Sequence, residues 1–521
     1  MQESTQPILR NATRTGTAEL AEHAVAQLGR HPSAYRKLGR TGLTVSALGF
    51  GCYRVHDQVE DHVAALGQAL GSGVNLIDTA TNYGDGHGEL LVGRVMARGE
   101  FRRDGVVIVS KAGYLQGAAL RDAVEREHRH AGWSEVVRYS EGCWHCLHPD
   151  FLSHELTRSL ERTSQTKLDV YLLHNPEYFL LDLERRRDRR PLEARRDEMY
   201  ARIGRAFVAL EAEVTRGRLG WYGVSSNALG APPTAAEALA LDRLVALAES
   251  VVGKSHHFGV VQLPLNLLEG GAATALTNGP GLDRTTLDTA RRAELGVLAN
   301  RPLNAFRRGR LVRLVDFALQ LPASDPGDRD RPERAFRAVE RLEAEFAQAF
   351  VPAILGETGQ EIGELRYATF LQSKADTLHD LVLWNDFVRD SFAPEISERC
   401  QLIEEALTGP LKAAWQIWVG RYAEALQRQL ETLRTVCARG SQRVVERLAR
   451  SVPGGVGGEH RAASMASRSI ATMASIPGVT SVLVGMRQPS YVTDVTTVLG
   501  WAPVAGGFEA ITALSDFDPA A

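Results

Sequence analysis

The chain has 521 residues, of which 44% are hydrophobic and 24% charged, and its formal net charge is −3. This is the make-up of a globular protein with a large core, and it gives no general affinity for nucleic acid or acidic membrane surfaces. No apolar run approaches the ~20 residues of a membrane-spanning helix. Five cysteines do not make a disulfide framework, and the opening MQESTQPILRNATRTG lacks the apolar core of a secretory signal. Reduced thiols in a cytoplasm are therefore expected.

Residues 1–34 are polar, with a short helical pattern near 17–29, and read as an appendage. From Tyr35 onward the pattern becomes rhythmic. SALGFGCY (46–53) is a short apolar run, and 57–73 has helical spacing with a glycine stop. NLIDTA (75–80) reads as a strand, 88–100 as a helix, and GVVIVSKAG (105–113) as a fully apolar strand. Helix 149–166 precedes strand LDVYLLHN (168–175), and helix 200–220 precedes strand WYGVSSN (221–227). Helix 236–253 leads to strand FGVVQLPLN (258–266), and helix 285–295 to strand GVLANRPL (296–303). The rhythm then stops. Residues 304–450 show no convincing strand but carry helical stripes, one with Phe336, Val339, Leu342, Phe346 and Phe350, another with Trp415, Trp418, Tyr422, Leu426, Leu430 and Leu433. SVPGGVGGEH (451–460) reads as a flexible joint, followed by helix 461–475, strand VTSVLVG (479–485) and helix 490–500.

Eight strands in alternation with helices predict parallel pairing with helical crossovers, and eight such units predict a closed (β/α)₈ TIM barrel; a doubly wound open sheet is the alternative. The expected organisation is an appendage over 1–34, a barrel over 35–303 and 461–510, and an α-helical insertion domain over 304–460.

Chemistry in such barrels sits where the strands end. Here the strands finish on polar groups: Asp78 with Tyr83 just beyond, Lys111, His174, Ser225, Ser226 and Asn227, Gln262, Asn300 and Arg301. One such residue would be a cap or a salt bridge. Several converging ionisable groups make a coherent set. A buried lysine pairs with Asp78, and the cation is expected to lower the phenol of Tyr83 from its usual value of about 10. A histidine at the same mouth can orient a carbonyl oxygen. That is general-acid machinery. Protonating a carbonyl oxygen is half of a reduction, and the hydride that completes it must come from a nicotinamide cofactor.

YRKLGRTGLTVSALGFGCYR, NLIDTATNYGDGHGELLVGR, VVIVSKAG, LDVYLLHNPE, GWYGVSSN and VTSVLVGMRQPSYVTDV occur in that order, over about 36–303 and 461–500. Together they resemble the aldo-keto reductase family. The resemblance implies a catalytic tetrad of Asp78, Tyr83, Lys111 and His174, with Tyr83 as general acid/base, Lys111 and Asp78 tuning it, and His174 orienting substrate. It implies that Ser225, Ser226, Asn227 and Gln262 hold the nicotinamide, with Tyr222 behind it, and that Gly485, Met486, Arg487, Tyr491 and Asp494 hold the adenosine end. A planar, permanently charged Arg487 suits a 2′-phosphate, which favours NADP (NADPH) over NADH; Arg301 is a second candidate for phosphate. Two departures stand out. The family's last segment carries Glu then Asn where this chain has Asp494 then Val495, and GVSSN has one serine more than the usual pair.

EGCWHCLHPD (141–150) brings Cys143, His145, Cys146 and His148 within six residues. Zinc is a tempting reading, but adjacent His145 and Cys146 coordinate jointly only with difficulty, so no metal is expected and the loop is read as lining the substrate mouth. The charge run over 183–198 reads as a solvated helix or loop. The expected activity is an NADP-dependent oxidoreductase reducing an aldehyde or ketone, or oxidising the corresponding alcohol or sugar. The alternative is an NADPH-binding sensor or scaffold with little turnover that meets a protein partner through the helical insertion.

Overall fold

Eight strands pair in parallel and close on themselves. They are β1 (Leu48–Gly51), β2 (Leu76–Asp78), β3 (Val107–Ala112), β4 (Leu168–His174), β5 (Leu219–Ser225), β6 (Phe258–Pro264), β7 (Gly296–Asn300) and β8 (Ser481–Val484). The computed structural model describes residues 11–317, 331–359, 361–378, 380–452 and 454–519. All eight predicted strands are present, and β8 pairs with both β7 and β1, so the open sheet is excluded. The chain divides into two compact units, Met1–Leu314 with Arg450–Ala521, and Val315–Ala449. The boundaries expected at 304 and 460 thus lie at 315 and 449.

Successive residues of a strand face opposite sides, so every second side chain points into a barrel. Leu76, Val107, Val109, Val170, Leu172, Val260, Leu298 and Leu483 do so and form one buried cluster. Glycine is needed on β1, because a Cβ at Gly49 would meet Leu76 and Leu483 at 2.6 and 2.7 Å. From the other end Ala12, Leu38, Leu43 and Val45 join the cluster. The described part of the N-terminal segment is therefore part of the barrel rather than an appendage. Its helix Arg14–Leu28 follows Ala12, whose amide donates to Asp169 Oδ1 at 2.7 Å. A polar helix pattern is weak in sequence, since only one small-residue stripe of it is buried.

Short antiparallel pieces escaped the sequence reading. Tyr35–Lys37 pairs with Thr44–Ser46, Asn304–Arg307 pairs with Arg310–Arg313, and a three-stranded sheet forms from Tyr114–Leu115, Val137–Ser140 and Cys143–His145. The pair at 304–313 corrects the expectation that 304–450 holds no strand. Runs of two to four residues show no period of their own. The run 451–460 was expected to be a joint, yet Gly457 N donates to Thr472 Oγ1 at 3.2 Å and Val456 is fully buried. The charge run over 183–198 begins helix Leu192–Thr215 and pairs internally, for instance Arg190 with Glu198 at 2.6 Å.

The second unit is helical, and both predicted stripes meet in its core. Val339, Leu342, Phe346 and Phe350 pack with Trp415, Trp418, Tyr422, Leu426 and Leu433. Within it Glu343 is buried and accepts from Tyr422 Oη at 2.8 Å and from the Tyr367 amide at 2.7 Å.

A Cβ at Gly223 would collide with the carbonyl oxygen of Val260 on the neighbouring strand, whereas one at Gly67, in helix Glu60–Gly71, would meet nothing. Gly223→Ala is expected to lower stability by about 3 kcal/mol or more, and Gly67→Ala to raise it by roughly 0.5–1 kcal/mol. Urea unfolding of the two variants checks the contrast.

Candidate active site

The inward rows of the barrel change character at their last position. Two residues beyond Leu76 comes Asp78, beyond Val109 comes Lys111, and beyond Leu172 comes His174; likewise Gln262 follows Val260 and Asn300 follows Leu298. The same two-residue period that builds the apolar core thus delivers polar side chains to one end of it.

Lys111 and Asp78 are buried and paired, with Lys111 Nζ 2.8 Å from Asp78 Oδ1. Nζ also donates to the Thr79 carbonyl at 2.7 Å and to Tyr83 Oη at 3.3 Å, and lies 4.6 Å from the centre of the Tyr83 ring. The lysine therefore spends all its donors inside the site. Beyond Asp78 the chain keeps bonding to β3, Thr79 N to Val109 O and Thr81 N to Lys111 O, and then turns. Gly84, Asp85 and Gly86 all adopt the left-handed region, which reverses the chain into helix His87–Met96. At Gly88 a Cβ would meet Thr79 Oγ1 at 2.9 Å and Tyr83 Cβ at 3.2 Å, so glycine lets the helix lie against the Tyr83 turn. This is why an acid, a phenol and three glycines stand so close together in the sequence.

The protonation states differ from the sequence expectation. Burial pushes the Tyr83 phenol well above its ordinary value, and the nearby Asp78 carboxylate pushes the same way. The expected lowering by Lys111 does not occur, because the ammonium is engaged by Asp78 and the phenol has lost its water. Burial raises the Asp78 carboxyl and lowers the Lys111 ammonium, and their mutual attraction opposes both shifts. Burial, with Lys111 adding its charge, holds His174 far below the usual imidazole value, so it is neutral. Its ring stands edge-on to Tyr83 at 6.0 Å and to Tyr114 at 4.8 Å, and its Nδ1 is buried without a partner.

The structure brings Gln262 onto the ion pair. Its Nε2 donates to Asp78 Oδ1 at 2.7 Å, while its Oε1 accepts from Ser225 Oγ at 3.1 Å and Asn300 Nδ2 at 3.2 Å. Ser226 points elsewhere, to Glu177 Oε2 at 2.8 Å, and the side chain of Asn227 belongs to an exposed residue. Tyr222, expected behind the nicotinamide, faces the opposite side of β5, where its ring packs on Phe207 of the outer helix layer. Gly485 is exposed and Met486 fully buried. Arg487 is half-buried and forms no ion pair among the described residues, whereas Arg301 pairs with Glu269 at 3.3 Å. Tyr491 is exposed. Asp494 is held by Ser464 Oγ at 2.7 Å and by Ser467, at the start of helix Met465–Ala474.

Sequence reasoning missed Tyr114 and Glu177, and it placed His145 in the loop at the substrate mouth without its contact to His174. Tyr114 packs on His174, His145 Nε2 lies 2.7 Å from the His174 carbonyl, and Glu177 ties down the Ser226–Asn227 turn. The acid in His-Asn-Pro-Glu was the available signal for Glu177. In the 143–148 loop Cys143 Sγ accepts from Gln116 Nε2, His145 is taken up by the His174 carbonyl, Cys146 Sγ by Ser134 O, and His148 caps helix Pro149–Thr163, so the four side chains have separate partners. Elsewhere His56, Asp57 and His87 come together among the described residues. There Asp57 Oδ1 is 2.6 Å from His87 Nδ1, and His56 Nδ1 accepts from the Gln58 amide at 3.2 Å, so the three are already occupied with one another or with backbone.

Removing one member of a buried ion pair leaves the other uncompensated. Lys111→Met is expected to cost about 3–5 kcal/mol, and adding Asp78→Asn should recover most of it. Chemical denaturation of the two single variants and the double variant tests this coupling.

Residues 47–235 match the family described as "Aldo/keto reductase family". The chain is similar to an aldo-keto reductase from Bacillus halodurans in its holo form, with 14% identity and a TM-score of 0.45 over 92% of this chain and 95% of that one. It is similar also to a glycerol dehydrogenase from Gluconobacter oxydans, with 15% identity and a TM-score of 0.45 over 93% and 95%. No helix among the described residues is long and apolar enough to cross a membrane. The matched residues hold β1 to β5 of the barrel, so this part of the chain carries an aldo/keto reductase family domain.

Proposed function

We propose that the chain is an NADP(H)-dependent oxidoreductase that reduces an aldehyde or ketone, or in reverse oxidises the corresponding alcohol or sugar, with Tyr83 as general acid/base. The observation that carries this reading is one ammonium group, Lys111 Nζ, in reach of both the Asp78 carboxylate and the Tyr83 hydroxyl. The five cysteines are free thiols, which supports a cytoplasmic setting.

The residues fit the cofactor. Asn300 Oδ1 is a buried acceptor without a partner beside the Gln262–Ser225 pair, and Asn227, two residues beyond Ser225, offers an exposed carboxamide; together they are donors and acceptors suited to a nicotinamide carboxamide. The charge of Arg487 is not taken by any acid among the described residues, which suits a 2′-phosphate. Arg301, already paired with Glu269, is the weaker candidate for that contact. Gly485, Met486 and Tyr491 complete the adenosine segment, with Asp494 acting on its helix more than on a ligand. When bound, the nicotinamide supplies the hydride that no side chain can.

The chain's own residues do the rest. Burial keeps Tyr83 protonated, so it is a donor awaiting a carbonyl oxygen. As its proton moves to that oxygen, the phenolate left behind is stabilised by Lys111, whose position is fixed by Asp78 and the Thr79 carbonyl. Neutral His174 is free to hydrogen-bond the substrate oxygen and hold it against Tyr83. The scaffold alternative leaves this four-residue arrangement without a use.

Tyr83→Phe is expected to abolish carbonyl reduction while NADPH binding stays near wild type, measured by turnover on a panel of aldehydes, ketones and sugars alongside nucleotide titration. Full turnover in that variant would sink the assignment. Arg487→Ala is expected to weaken NADPH by about tenfold or more and NADH little, the size of one lost charge-assisted pair. Fluorescence titration with both nucleotides decides it, and equal losses would remove Arg487 from the phosphate site.

A further inference from the structure

Glu177 is fully buried and has no cationic partner among the described residues. Such a group is expensive to keep unless its oxygens are well used. Both of them are. Oε2 accepts from Ser226 Oγ at 2.8 Å and Oε1 accepts from the Asn227 backbone amide at 2.9 Å. Ser226 Oγ in turn accepts from the Ala228 amide at 3.0 Å. The donors come from the turn after β5, while Glu177 sits on the turn after β4, three residues beyond His174. A third tie joins the same two turns, from Asn175 N to Ser225 O at 2.7 Å. Asn175 is itself in the left-handed region and donates through Nδ2 to Tyr114 Oη at 2.6 Å.

We infer that Glu177 is a positioning residue that fixes the turn Ser225–Asn227 in the shape that receives the nicotinamide carboxamide, and locks that turn to the one carrying His174. The inference rests on the cofactor reading above. It also accounts for the extra serine in GVSSN. Ser225 faces inward to Gln262, Ser226 is spent on Glu177, and Asn227 is left with its side chain outward. The other ionisable groups facing Glu177 are Glu237, Tyr114 and Tyr178, and none of them supplies a positive charge. Burial accordingly raises its carboxyl to about 7. A neutral amide of the same shape at this place keeps an acceptor for the turn without the cost of a buried charge.

The test uses the full chain and three variants, Glu177→Ala, Glu177→Gln and Ser226→Ala. The last two change a single atom group each and keep the comparison alive should the alanine at 177 fail to fold. NADPH is titrated by fluorescence, steady-state kcat and cofactor KM are measured on one accepted carbonyl, and amide hydrogen exchange is followed over the 224–229 segment without nucleotide. The expected result for Glu177→Ala is faster exchange over that segment, at least tenfold weaker NADPH binding with a matching rise in KM, and a smaller change in kcat. Glu177→Gln should restore exchange and binding to within about threefold of wild type, with Ser226→Ala between the two. Unchanged exchange and NADPH affinity in Glu177→Ala, or in Ser226→Ala if the former does not fold, would overturn the inference and leave the proposed activity standing. Failure of the wild type to bind either nucleotide would instead overturn the cofactor reading, and this inference with it.

Discussion

The site is organised around a lysine that is denied water. Lys111 lies wholly inside the barrel, where an ammonium is tolerated only if each of its protons meets an acceptor. Asp78, the Thr79 carbonyl and the Tyr83 hydroxyl are those acceptors. Their positions follow. Asp78 must end β2 opposite Val109, one inward position before Lys111 on the adjacent strand, and the chain beyond must stay hydrogen-bonded to β3 for three more residues before it turns and offers Tyr83. Gln262 donates to the same Asp78 Oδ1 that faces Lys111 and passes the constraint across the barrel to Ser225 and Asn300. A single buried charge thus fixes side chains on five strands.

A second layer sets the angle of the imidazole. His174 is bounded by Tyr83 and Tyr114, its carbonyl meets His145, and the turn that follows is pinned through Asn175 and Glu177. The sheet 114–145, added after β3, therefore reaches the site through Tyr114 and His145. The two turns at the ends of β4 and β5 behave as one piece, because three hydrogen bonds cross between them. On the proposed reading, substrate orientation by His174 and reception of the cofactor by the turn after β5 are mechanically linked.

Much of this was legible in the sequence, for a definite reason. The barrel strands are apolar runs of strand length, and a polar residue at the end of one is visible because what precedes it is not polar. Asp78, Lys111 and His174 were found that way, and Tyr83 by its distance from Asp78. What the sequence could not give was the outcome of competing effects. It shows a lysine near a tyrosine, which suggests a lowered phenol pKa, but not that both are dehydrated, which reverses the sign. It shows Glu177 after a proline but not the distant turn that the carboxylate reaches. The hairpin strands at 35–46 and 304–313 are too short to carry a period, since their stability comes from partners named only by the fold. Ala12 is read as part of a polar tail until it is seen filling the base of the barrel.

The order of the strands along the chain has a consequence for synthesis. β8 bonds to β7 through Leu298 with Ser481 and Ala299 with Val482, a separation of roughly 180 residues, while its other neighbour, β1, is made first of all. During translation seven strands leave the ribosome well before the eighth, and two sheet edges stand open while the whole helical block is being made. Open parallel edges invite pairing with other chains. The helical block, with its own aromatic core, separates by many seconds the making of the barrel from its closure. Nascent chains of this protein should depend on a holding chaperone during that interval more than a barrel with short loops throughout.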